Sequence, residues 1–197
     1  MRYPEFFDKV PTIRLRDDLS DFLGTFENGE IEFSYVDVAK SAGHSCPTVA
    51  GAYLLCLEGL KALYKDEMPV RGEILVAFKE DEKEGVAGVI ANVVTQITGA
   101  TKILGFKGIN GEYVRHSLLS FNEEINSSVK FTRTDTNESV EVIYDHSQIP
   151  GNPKQQELMG KVLMNMANED ERQEFRNLWQ GRVQQILENP NKVIVIK

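Results

Sequence analysis

A chain of 197 residues, 41% hydrophobic and 26% charged, can bury a core of its own without disulfide staples. Its net charge of −8 argues against nucleic acid as a partner, because phosphate backbones are held by clustered Lys and Arg. No apolar run approaches membrane-spanning length, the first nine residues lack a secretory apolar stretch, and there are only two cysteines; a cytoplasmic protein without membrane segment or disulfide framework is expected.

Two short helical pieces are expected first, over 3–9 and 16–23, the second opened by Asp17-Asp18 and closed by Gly24. Residues 30–37 alternate as a strand with Ile31, Phe33 and Tyr35 on one face, followed by a short helical turn at 38–40. Pro47 opens the strongest helix, which runs to about Lys65. A proline at the first helical position loses no useful hydrogen bond. Val49, Tyr53, Cys56, Leu57, Leu60 and Leu63 recur at helical spacing, and Leu54 and Leu55 widen the stripe. This is the expected central helix.

Residues 72–79 read as a buried strand, and the charged run Lys79 to Glu84 leads into a helix over 84–98 that Gly99 ends. Strands are expected near 101–107 and 112–121 around the turn Asn110-Gly111, and a second hairpin pairs 128–134 with 138–145. After Ile149-Pro150-Gly151-Asn152-Pro153 the pattern turns helical, over 154–167 and 169–188, before a final strand at 193–196. The apolar stripe of the last helix, Phe175, Leu178, Trp179, Val183, Ile186 and Leu187, suits packing on its own core or a dimer-forming helix pair. The expected fold is α+β: an antiparallel or mixed sheet on a central helix, with a core over 1–150 and a helical appendage over 151–197.

Chemistry concentrates at Gly43-His44-Ser45-Cys46-Pro47. In extended backbone, residues two apart point to one side, so His44 and Cys46 can meet one ion. Imidazole and thiolate both suit zinc and similar metals, and the start of a helix places positive dipole charge beside the sulfur. Two ligands leave a site incomplete. Cys56, ten residues along the same helix and about 15 Å away by its rise, reads as a buried core thiol. His116, on an expected strand face with Val114 and Leu118, is the candidate third ligand. His146 reads as a loop histidine, and Glu80, Asp81, Glu82 or a second copy of the chain could supply a further donor. The glycines at 105, 108 and 111 lack a phosphate-loop ending and are explained by turns.

With Val49-Ala50-Gly51-Ala52-Tyr53 after it and Thr98-Gly99-Ala100-Thr101 downstream, the motif resembles the His-Gly-His-x-Cys-Pro-Gly opening of the FmdE-like family of formylmethanofuran dehydrogenase components. The likeness spans roughly 36–121. Departures are clear: Ser41 or Ala42 stands for the first motif histidine and Thr48 for the glycine. Val89, Asn92 and Ala100 stand where cysteine or aspartate is common, and no cysteine follows Cys56 to build a zinc finger. The resemblance implies an α+β core, a bound transition metal with zinc foremost, and a tendency to form homodimers; only His44 and Cys46 carry over as metal residues. It implies a small metal-dependent enzyme or a metal-holding accessory protein. The alternatives are a metal-free thiol enzyme with Cys46 as nucleophile and His44 as base or orienter, and a non-catalytic binding module.

Overall fold

Cys46 caps the helix that Pro47 begins, and thirteen of that helix's 18 residues are buried, so it is enclosed rather than half-exposed. The computed structural model describes residues 2–197. In chain order it contains β1 (Ile13–Arg16), α1 (Asp18–Phe22), β2 (Glu30–Phe33), α2 (Tyr35–Ala42), α3 (Pro47–Tyr64), β3 (Ile74–Phe78) and α4 (Ala87–Thr98). Then follow β4 (Leu119–Ser120), β5 (Val129–Arg133), β6 (Ser139–Tyr144), α5 (Pro153–Leu163), α6 (Glu169–Glu188), α7 (Pro190–Val193) and β7 (Ile194–Ile196). The fold is α+β. The central helix is α3, flanked by α2, α4 and α6 and lying on the sheet.

That sheet is mixed, in the order β4-β3-β5-β6-β7, with β3 and β4 parallel and the other pairs antiparallel. Ile74, Val76, Phe78, Val129, Phe131, Val140 and Val142 form its buried face. Alternation along each strand puts these side chains under α3. Gly51 and Gly59 let the sheet come close: a Cβ at Gly59 would stand 2.8 Å from the Phe131 ring. The C-terminal segment joins this core directly. β7 extends the sheet beside β6, and Val183, Ile186 and Leu187 of α6 are buried in the same cluster as α3, so the apolar stripe packs on its own chain.

Three expectations need correction. The strand expected over 30–37 ends at Phe33, because Ser34 and Asp37 form a reciprocal capping box that starts α2. The alternation of Ile31, Phe33 and Tyr35 spans that boundary and imitates a longer strand. The helix expected from 16 starts at Asp18, and residues before it form β1, which pairs with β2.

Finally, the long strands expected on either side of Asn110-Gly111 do not form. The turn itself is present, with Asn110 and Gly111 both at positive φ, but the ladder is reduced to one bridge, Ile109 with Glu112. Tyr113 and Ser117, at φ 60° and 59°, break the extended path. Between them Arg115 turns inward and its Nη2 donates to Asp17 at 2.7 Å. Asp17 also accepts from Arg71 at 2.8 Å and from the Ser20 amide, so one buried carboxylate ties the N-terminal hairpin to the core. Among the described residues, no helix is long and apolar enough to cross a membrane.

Candidate functional site

Gly43, at φ 73°, ends α2 in the left-handed conformation, and three residues then bridge to α3. Each is anchored differently. The His44 ring places Nδ1 2.9 Å from the Ala42 carbonyl oxygen. A carbonyl can only accept, so Nδ1 carries a proton, and in the neutral ring the lone pair is then on Nε2. Ser45 is held on both sides: its Oγ meets the Tyr35 hydroxyl at 2.7 Å, and its carbonyl accepts from Trp179 Nε1 at 3.0 Å and Gln180 Nε2 at 3.2 Å. The half-buried Cys46 caps α3, its Sγ accepting from the Val49 amide at 3.4 Å.

Behind Cys46 the helix start is braced by Tyr144 of β6, whose hydroxyl donates to the Pro47 carbonyl at 2.6 Å. Burial pushes the Tyr35 and Tyr144 hydroxyls above their ordinary range, and the nearby Cys46 sulfur adds to the effect in both. Both therefore stay protonated at neutral pH. The sulfur thus sits between the positive end of a helix and two phenols that keep their protons.

His44 and Cys46 are anchored in opposite directions along the chain, the ring back towards Ala42 and the sulfur forward to Val49. His44 borders an open cleft of roughly 810 Å³ between the N-terminal segment, α2 and α6, and Cys46 lies outside that lining. The other candidates are elsewhere. His116 is not on an inward strand face; it stands half-buried in irregular backbone, its Nδ1 3.0 Å from Ser117 Oγ. His146 is an exposed loop residue, as expected. Its Nδ1 accepts from Arg182 at 3.2 Å and its ring packs edge-on against Tyr144, with Glu80 and Thr48 bordering the same small cavity. Asp81 accepts from Asn122 and Glu82 pairs with Lys102. Cys56 is fully buried, and burial drives its thiol far up in pKa, as a core thiol requires. Among the described residues, no three His, Cys, Asp or Glu side chains gather as a metal cluster.

The residues that hold the motif loop were not evident from sequence. Trp179 and Gln180 read as part of an amphipathic helix, and Tyr35 and Tyr144 as strand residues. Their roles arise from partners 10 to 135 positions away.

The site is thus a His-x-Cys-Pro loop at the start of the central helix of an α+β core, braced by tyrosines and by a C-terminal helix. The chain belongs to the FmdE family: the family model described as "FmdE, Molybdenum formylmethanofuran dehydrogenase operon" matches residues 42–196. The match reaches well past the 36–121 over which the motif resemblance is legible and takes in α5, α6 and β7. No curated protein matches the chain.

Proposed function

We propose that this FmdE-family protein binds a transition metal, zinc foremost, through His44 Nε2 and Cys46 Sγ, and serves as a small metal-dependent enzyme or a metal-holding accessory protein. The observation that supports this most is the bond from His44 Nδ1 to the Ala42 carbonyl. Metal-ligating histidines characteristically donate their second ring nitrogen to such a partner, which fixes the tautomer and aims the free nitrogen outward. The donor chemistry fits: imidazole and thiolate are the ligands zinc prefers, and the sulfur stands at the N-terminal end of a helix.

Two protein ligands leave at least two positions for water, substrate or a donor from a second copy of the chain in a homodimer. Bound there, the metal would supply Lewis acidity towards a small-molecule substrate. The residues of this chain hold the donors: Ala42 orients the ring, Val49 the sulfur, and Tyr35, Trp179 and Gln180 the loop between them.

The test is metal content of untagged protein purified without chelator, for wild type, Cys46→Ser and His44→Ala. Near-stoichiometric zinc or another transition metal, lost in both variants, is the expected result. Wild-type protein that stays metal-free after reconstitution would overturn the reading.

A further inference from the structure

The cleft that His44 borders has a composition of its own. Tyr3 stacks on Phe7 at 5.9 Å in the N-terminal segment, Phe175 packs against Trp179 at 5.7 Å on α6, and all four rings line the cleft. Arg2, Lys40 and Arg176 also line it, and no carboxylate does, in a chain whose net charge is −8. Three acids stand beside the cleft, two of them bonded to its lining residues Tyr3 and Arg176. Asp8 accepts from the Tyr3 hydroxyl at 3.0 Å, and Asp37 is tied into the cap at Ser34. Glu169 holds Arg176 at 3.1 Å, but both partners are more than half exposed, 57% and 76%. Such a pair contributes little and exchanges easily. Arg2 and Lys40 form no ion pair among the described residues.

We propose that this cleft binds a small organic anion with a flat aromatic body, its carboxylate or phosphate at Lys40 and Arg176 and its ring against the aromatic walls. Apolar walls with a few charged groups at the rim are the usual construction of small-molecule sites. The walls bury the ring, and offset or edge-on contact with Trp179 and Phe7 adds to that burial. The cations select the sign of charge. They act through solvent at an open rim, so their attraction falls with ionic strength. A cation of the same shape is repelled, and a neutral analogue keeps only the apolar part of the binding. The inference does not rest on a metal at His44, since the groups it uses are the cleft's own side chains.

Trp179 is the only tryptophan in the chain, so its emission reports from this cleft alone. The full-length, chelator-treated protein is titrated with 4-nitrobenzoate, a nitroaromatic quencher, in parallel with 4-nitrobenzyl alcohol and 4-nitrobenzylammonium. The expected result is saturable quenching by the anion, about fivefold tighter than by the alcohol, with no saturation by the cation. The double variant Lys40→Glu/Arg176→Glu is expected to weaken the anion by about fivefold or more, and added salt to weaken it in wild type. Quenching that is linear, or equally tight for all three probes, would overturn the proposal, as would an anion affinity unchanged in the double variant. Should that variant fold poorly, the three probes on wild-type protein decide alone. Because the protein is metal-free throughout, failure here leaves the metal reading untouched.

Discussion

The phenol ring of Tyr144 lies against the bare Cα of Gly51, so that a Cβ at that glycine would overlap the Cζ and both Cε atoms of the ring. Gly51 is on the first turns of α3 and Tyr144 ends β6, and the ring's hydroxyl reaches on to the Pro47 carbonyl. The glycine is thus what lets the sheet brace the helix start beside Cys46.

Gly51→Ala would gain about 1 kcal/mol of helix propensity but force the ring away from Pro47, and overpacking of this kind costs about 1–3 kcal/mol. A net loss of stability is expected in urea unfolding. Tyr144→Phe, which keeps the ring and removes only the hydroxyl, should cost about 1 kcal/mol. If the alanine variant were more stable than wild type, the close approach would not be a constraint.

Trp179 and Gln180 both donate to the Ser45 carbonyl, and Trp179→Phe removes the shorter of the two bonds while retaining an aromatic ring. A loss of about 1 kcal/mol is expected. The sharper readout is metal affinity: with the loop less firmly held, zinc should bind more weakly in a chelator competition by roughly tenfold, the scale of lost supporting interactions. Unchanged zinc affinity would show that α6 stabilises the fold without positioning the motif.

Asp17 accepts from Arg71, Arg115 and the Ser20 amide while only 5% exposed. Asp17→Ala leaves two guanidinium groups without their shared partner, one of them on Arg115, which is itself buried. Removing one member of such a buried set costs about 3–5 kcal/mol. A small shift in the unfolding midpoint would place the energetic tie between the N-terminal hairpin and the core elsewhere.

The carboxyl of Asp135 is held down to about 2, first by its hydrogen bonds from Arg133. A depressed carboxylate pKa contributes stability that is present above the unfolded value near 4 and is lost as pH falls from there towards about 2. Because the side chain is 47% exposed, screening limits the effect to about 1 kcal/mol or less. Comparing urea midpoints at pH 5 and pH 2.5, Asp135→Asn should show a smaller acid-induced drop than wild type. An equal drop in both would remove Asp135 from the acid response.

The two thiols should separate cleanly under an alkylating reagent. Cys56 is fully buried with its thiol pushed far up, whereas Cys46 is half-buried at a helix start. Metal-free protein should be modified at Cys46 alone until it is denatured, and zinc should protect Cys46. Peptide mass mapping checks both points; modification of Cys56 in folded protein would contradict its burial.

Much of this molecule is written in local signals. The period of α3, with Pro47 at its start, and Gly99 at the end of α4 act within a few residues, and these two elements stand close to where the pattern puts them. The β5–β6 hairpin, the two C-terminal helices and the capping box at Asn168 and Glu171 are equally local. The His-x-Cys-Pro loop is legible for the same reason, and it points to the family that the match over 42–196 establishes.

What only the tertiary structure decided involves partners far apart in the chain. Four residues at 13–16 become a strand because β2 lies beside them. The segment after Gly99 gives up its ladder because Arg115 is drawn to a carboxylate 98 positions away, and no periodicity carries that pull. Tyr144 reaches Pro47 across 97 residues and Trp179 reaches Ser45 across 134, so the loop's own sequence says which donors it offers but not what holds them. A side chain's type sets the bonds it is able to make, and packing of the whole chain selects the one that forms, since a buried polar group must find its partner wherever the fold brings one.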